Sequence, residues 1–218
     1  MIKAIFFDLD GTLANSLLDL ATSCNYALTQ HGFATHETEK YKYFVGDGMQ
    51  KLIERILPEN SRTEEIRAQV FNTFWEHYKA HYFDNTIPYE GVCELITALK
   101  DRGYIIAVIS NKADEMCQAV VNKLFPSTFD LVCGKLENYP TKPDPALFNL
   151  LTQKLGVIAS ECLVVGDSGM DMKTAVNAGA LGVGVLWGFR TKDELLSNGA
   201  KYIIEKASQL LDILGEIS

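Results

Sequence analysis

Ile2-Lys3-Ala4-Ile5-Phe6-Phe7-Asp8-Leu9-Asp10-Gly11-Thr12-Leu13 opens as an apolar run and ends in two acids, a glycine and a threonine. Residues 4–7 are mostly β-branched or aromatic and predict a buried strand. Folding alone does not require two carboxylates at its end, and in a core they would be costly to desolvate. They are expected at the carboxyl end of the strand, the edge where open α/β sheets bind ligands. Asp10-Gly11 then breaks the strand and turns the chain. Residues two apart at a strand end can converge on one point, and N–H groups around Gly11 and Thr12 can face an anion. Taken by itself, the stretch also reads as a strand followed by an ordinary Asp-Gly turn.

The 218 residues, 47% hydrophobic and 22% charged, have the composition of one medium domain or of a domain carrying an insertion. A net charge of −8 argues against nucleic acid or an anionic membrane surface as partner. The cysteines at 24, 93, 117, 133 and 162 lack C-x-x-C spacing, so reduced thiols in a cytoplasmic protein are expected, with no disulfide frame or zinc site. Asp8 and Asp10 interrupt the only apolar run near the N-terminus, so no signal peptide is expected. The later run 181–189 is too short and glycine-rich to span a bilayer.

After Leu13 the pattern changes. Leu17, Leu20, Ala21, Cys24 and Leu28 recur at helical spacing; so do Met49, Leu52, Ile53, Ile56 and Leu57, and Ile66, Val70, Phe71, Phe74 and Tyr78. Met49, Phe74 and Trp75 are expected in the core of this segment. His77 and His81, spaced i, i+4, lack a clear third ligand and read as an amphipathic face. From Gly91 helices (92–102, 114–124, 145–155, 171–178, 208–214) alternate with strands (104–109, 129–133, 162–165, 182–186, 202–204). That alternation predicts an α/β fold, a parallel sheet with helices on both faces. Residues 1–15 and 86–218 then form the core, and 16–85 a helical insertion at its carboxyl edge.

Three more stretches fall on that edge. The strand at 105–109 runs into Ser110-Asn111-Lys112, where Ser110 or Asn111 either caps the next helix or offers a hydroxyl and a backbone N–H to a phosphate. In Pro140-Thr141-Lys142-Pro143-Asp144-Pro145, Asp144 and Pro145 suit a helix start. Lys142 is either solvated or aimed into the cleft by its flanking prolines. Gly166-Asp167-Ser168-Gly169-Met170-Asp171 ends another buried strand in acids, and clustered carboxylates are tolerated where a hard cation binds.

Together, D-x-D-G-T, a strand-end serine, K-P-x-P and G-D-S-x-x-D resemble the haloacid dehalogenase superfamily over the full length of the chain. Ser110-Asn111-Lys112, Lys142-Pro143-Asp144-Pro145 and Trp187-Gly188-Phe189 are most similar to its phosphoglycolate phosphatase-like branch, from which this sequence departs at Asn15, where that branch often has Asp. The resemblance implies a Rossmann-like core with an inserted α-helical cap. It implies a phosphatase acting on a small phosphorylated metabolite with Mg²⁺, as a monomer or homodimer. Asp8 would be the nucleophile and Asp10 the general acid and base. Asp8, Asp167 and the Asp10 carbonyl would bind the metal. Leu9, Gly11, Thr12, Ser110, Asn111 and Lys142 would bind phosphate, with Ser168 and Asp171 supporting them. Gly46, Asp47 and Gly48 would form the cap's specificity loop.

Asp10 disfavours dehalogenation, which needs no acid there. A phosphosugar mutase or a pyrophosphatase shares the same core. A mutase needs added cations, for which Lys112 and Arg190 are candidates, though both read more simply as surface residues. A catalytically idle binding protein is the alternative of another class.

Overall fold

The computed structural model describes residues 1–217. The chain divides into two compact units, Met1–Ala14 with Pro88–Ser218, and Asn15–Ile87. In the first unit β1 (Ala4–Phe7) is buried at every position, so both of its faces must be covered. The chain leaves this unit at β2 (Ala14–Asn15).

The second unit is helical: α1 (Leu17–Gln30), α2 (Tyr41–Phe44), α3 (Met49–Ile56) and α4 (Glu64–His81), with short 3₁₀ turns at Thr38–Lys40 and Glu59–Ser61. Leu20, Ala21, Cys24 and Leu28 of α1, and Val70, Phe74 and Tyr78 of α4, are buried as their spacing predicts. Met49 and Trp75 are only half-buried, and Trp75 stacks on Phe71 with Lys79 Nζ 5.8 Å from its ring. His77 stacks on Tyr26 and His81, and its Nδ1 lies 3.0 Å from Ser23 Oγ. Asp19 is buried in α1 and holds the two residues that lead into the return strand. Its carboxylate accepts from Asn85 N (3.0 Å), Asn85 Nδ2 (2.8 Å), Thr86 N (2.9 Å) and Thr86 Oγ1 (2.7 Å).

The return is β3 (Ile87–Pro88). Then follow α5 (Val92–Asp101), β4 (Ile105–Ala113), α6 (Asp114–Leu124), β5 (Leu131–Lys135), α7 (Ala146–Leu155), β6 (Cys162–Gly166), α8 (Gly169–Ala178), β7 (Leu181–Val185), α9 (Lys192–Ser197), β8 (Tyr202–Ile204) and α10 (Gln209–Glu216). The six-stranded sheet has the order β5-β4-β1-β6-β7-β8, all parallel. Numbered by first use within the sheet, that is 3-2-1-4-5-6, the doubly wound order whose switch point lies beside the first strand. On one face Ala4, Phe6, Val164 and Ala107 pack with Phe148 and Leu151 of α7, and the Phe6 and Phe148 rings lie 4.6 Å apart. The five cysteines form no disulfide. No helix among the described residues is long and apolar enough to cross a membrane.

Two differences from the sequence expectation matter. β4 does not end at Ile109 but runs through Ser110-Asn111-Lys112 to Ala113. Opposite β5, Ile109 pairs with Cys133 and Ala113 with Lys135, so β4 carries two extra residues in a bulge. Neither Ser110 nor Asn111 caps α6, which Ala113 precedes. Helix α9 was not anticipated, although Thr191 accepts from Glu194 N at 3.3 Å, the T-x-x-E signature of a helix start.

Candidate active site

Asp8 still belongs to the ladder through its N–H, which donates to Val165 O at 2.9 Å. Its side chain therefore leaves the sheet at the carboxyl end of β1. The chain then wraps around the Leu9 carbonyl, which accepts from Leu13 N (3.0 Å) and Ala14 N (2.9 Å). Gly11 takes φ +90°, and a Cβ there would lie 2.4 Å from Asp167 Oδ2, so both conformation and space demand glycine. Asp8 Oδ1 accepts from Leu9 N at 2.7 Å and from Lys142 Nζ at 2.9 Å.

Lys142 is not solvated. Its side chain is 3% exposed, and Nζ meets Asp8 Oδ1, Asp171 Oδ1 (2.5 Å) and the Ile109 carbonyl (3.0 Å), three acceptors for three donors. The Asn111 side chain clamps its main chain: Oδ1 accepts from Lys142 N at 2.9 Å and Nδ2 donates to Lys142 O at 3.3 Å. Asp144 Oδ1 accepts from Ala146 N at 2.8 Å, opening α7 as its sequence suggests. Burial alone would lower the Lys142 ammonium, but Asp171 and Asp8 outweigh it and hold it above its ordinary value.

Across the switch point, Asp167 follows β6. Its Oδ1 accepts from Thr12 Oγ1 at 3.2 Å and its Oδ2 from Phe189 N at 2.8 Å. Asp171, in the first turn of α8, forms a capping box with Ser168: its Oδ2 accepts from Ser168 N (3.1 Å) and Ser168 Oγ (2.6 Å). Burial is the main force on the acids. It pushes Asp8 up to about 6, with Lys142 opposing. It pushes Asp167 up to about 8, reinforced by Asp171 and Asp8. Tyr89, where the chain returns, has its hydroxyl raised by burial and then by Asp167 and Asp10.

Sequence reasoning misplaced two cations. Lys112 is not a surface residue: its side chain is 3% exposed, and Nζ lies 3.1 Å from both oxygens of Asp10. The bulge in β4 carries it inward, which periodicity alone does not reveal. Arg190 is 10% exposed and pairs with Glu194 at 3.3 Å. Ser110 is buried, and its Oγ accepts from Lys112 N at 3.3 Å. Phe189 contributes a backbone N–H, for which a sequence carries no direct signal.

Asp8, Asp167 and Asp171 each offer a carboxylate oxygen, all within 4.8 Å of one another. Among the described residues Asp8 Oδ2 accepts no hydrogen bond, and each Asp167 oxygen accepts one, so both acids keep lone pairs. Asp171 Oδ2 already accepts two, and its Oδ1 the Lys142 ammonium. Asp8 and Asp167 are thus oxygen donors of the kind that fits a hard divalent cation. Gly46-Asp47-Gly48 lies in the second unit between α2 and α3. There Asp47 pairs with Arg55, whose Nη1 also donates to Phe44 O at 3.0 Å. Lys42 and Lys51 pair instead with Glu39 and Glu54.

The family model for haloacid dehalogenase-like hydrolases matches residues 5–185. A phosphoglycolate phosphatase of Mannheimia succiniciproducens is 33% identical over 219 residues, covering 97% of this chain and 98% of the relative. That of Colwellia psychrerythraea is 29% identical, covering 96% and 95%. Among solved structures, one described as a candidate phosphoglycolate phosphatase, from Lactobacillus delbrueckii subsp. bulgaricus, superposes with a TM-score of 0.92 at 31% identity. It covers 97% of this chain and 98% of that one. The switch-point acids and these likenesses agree: the chain belongs to the haloacid dehalogenase-like hydrolase family and, by its relatives, to the phosphatases within it.

Proposed function

We propose that the chain hydrolyses a small phosphate monoester, phosphoglycolate foremost, through an aspartyl-phosphate on Asp8 and with Mg²⁺ as cofactor. The Asp8 carboxylate carries this reading: Oδ1 is tied at 2.7 and 2.9 Å, while Oδ2 accepts no hydrogen bond among the described residues. A carboxylate anchored by one oxygen is oriented for in-line attack on phosphorus. A bound Mg²⁺, held by Asp8, Asp167 and the Asp10 carbonyl, supplies the charge that relieves repulsion between these acids and a phosphate dianion.

As Asp8 attacks, the ester P–O bond breaks and Asp10 gives its proton to the leaving oxygen. Asp10 then takes a proton from the water that attacks the acyl phosphate, which frees phosphate and restores Asp8. Ser110 and the Asn111 N–H are assigned here as donors to the transferred phosphoryl oxygens, joined by Lys142 and the N–H groups of Leu9, Gly11 and Thr12. The latter four must first release the partners they hold here: Asp8 Oδ1 for Lys142 and Leu9, Ala14 O for Gly11 and Leu9 O for Thr12. Asp171 and Ser168 keep Lys142 aimed. The helical unit is assigned as a cap that excludes water, with Gly46, Asp47 and Gly48 meeting the leaving group.

A mutase would need cations for a second phosphate, and the two candidates are engaged, Lys112 by Asp10 and Arg190 by Glu194. This favours hydrolysis, as do the names of the relatives. The test is steady-state turnover of phosphoglycolate and para-nitrophenyl phosphate with Mg²⁺, with EDTA, and in Asp8→Asn protein. EDTA is expected to abolish turnover, and Asp8→Asn to lower kcat by at least about a thousandfold with unchanged far-UV circular dichroism. Near-parental turnover in Asp8→Asn would remove the nucleophile assignment. Activity on neither ester, with phosphate still bound, would point to the idle binding protein.

A further inference from the structure

We propose that the loop of residues 187–189, after β7, is the positioning element that sets how tightly Asp8 and Asp167 hold their divalent cation, and that it depends on Gly188. This rests on the metal assignment made under the proposed function. Three hydrogen bonds close a circuit through the loop. Thr12 Oγ1 donates to Asp167 Oδ1 (3.2 Å), Phe189 N to Asp167 Oδ2 (2.8 Å), and Trp187 Nε1 to the Thr12 carbonyl (3.0 Å). Both oxygens of Asp167 are thereby oriented, one by each side of the circuit. The donor on the β7 side is a main-chain N–H, so the path of the loop, and not the Phe189 side chain, decides whether it is in place.

That path leaves no room at position 188. A Cβ there would lie 2.3 Å from Asp167 Cβ and 2.4 Å from the Gly11 carbonyl. The first is the root of the side chain and the second is backbone, so neither can swing aside. With Gly11 pressed against the same carboxylate, Asp167 is flanked by two glycines contributed by the two loops it joins. A small octahedral cation tolerates little misplacement of its ligands. Partners that orient a ligating carboxylate typically control about 10–100-fold in metal affinity.

The test is Mg²⁺ binding by calorimetry on the full chain, which needs no turnover. Gly188→Ala is expected to raise the Mg²⁺ Kd about 10–100-fold. Trp187→Phe, which keeps a ring but removes the donor to Thr12, is expected to raise it by a smaller factor. A Gly188→Ala protein that binds Mg²⁺ within about twofold of the parent overturns the proposal. If Gly188→Ala does not fold, an unchanged Kd in Trp187→Phe overturns it instead. A parent chain that takes up no Mg²⁺, or an Asp167→Asn chain that binds as the parent does, overturns the metal assignment and the loop proposal with it.

Discussion

Asp8 and Asp167 are held against their own solvation, and this has a measurable sign. Their carboxyls rise from an ordinary 3.8 to about 6 and about 8, burial being the largest cause in each. Between the ordinary and raised values the folded chain keeps protons that the unfolded chain has released. Stability of the metal-free chain must therefore fall as pH rises, from near 4 toward about 6 for Asp8 and about 8 for Asp167. The melting temperature in EDTA is expected to decline between about pH 5 and 8. Mg²⁺ should raise it more at the upper end, because cation and proton compete for the same oxygens. An equal gain at both ends would contradict the raised carboxyls. The placement of Asp8, Asp10 and Asp167 at the sheet edge was legible in the sequence because charged residues at the ends of apolar runs need a reason. Lys142, framed by prolines and not by an apolar run, reads equally as solvated, and only its burial decides against that. Lys112 was not, since nothing in Ser110-Asn111-Lys112 announces a bulge, and the Phe189 N–H was not, since every residue type but proline carries one.

β4 shows how a strand can overrun its pattern for the sake of a site. Its two extra residues bring Ser110 and Lys112 to the carboxyl edge, and β5 accommodates them at Gly134. A Cβ at 134 would lie 2.6 Å from both the Lys112 carbonyl and Asp114 Cα, while Gly134 N donates to Asp114 Oδ1 at 2.7 Å. Gly134→Ala is therefore expected to cost about 1–3 kcal/mol in urea unfolding, by overpacking against backbone. It should also lower kcat, because Ser110 moves with the bulge. Parental stability would show that β5 yields freely there. Most other elements were legible from periodicity. β1, α6 and β8 match the expected bounds, and α8 starts two residues early because Ser168 and Asp171 form its capping box. α9 escaped because its six residues are too few to show a period, leaving only its Thr191 cap as a signal.

At the scale of the molecule, alternating strands and helices revealed a parallel sheet but not its order, which pairing alone decides. The helical segment was legible as a separate block because its apolar spacing changes from strand-like to helical after Leu13. If its Gly46-Asp47-Gly48 turn chooses substrates, the Arg55 pair is what lets an acid sit there without repelling an anionic leaving group. Asp47→Ala is expected to change kcat/KM for phosphoglycolate, a neutral-tailed ester and para-nitrophenyl phosphate by different factors, with the Mg²⁺ requirement unchanged. A uniform change across the three would place specificity elsewhere. The sheet order has one more consequence, in the making of the protein. β1 precedes its partners in the chain, yet it lies between β4 and β6, with register to both from Ala4 to Phe7. On a ribosome it waits through the whole helical block for its first neighbour and through two more strand-helix repeats for its second. During that wait Ile5, Phe6 and Phe7 are an uncovered, ladder-ready segment, the kind that chaperones shield. On the proposed metal assignment, catalytic competence cannot precede that closure, because Asp167 arrives with the strand that completes it.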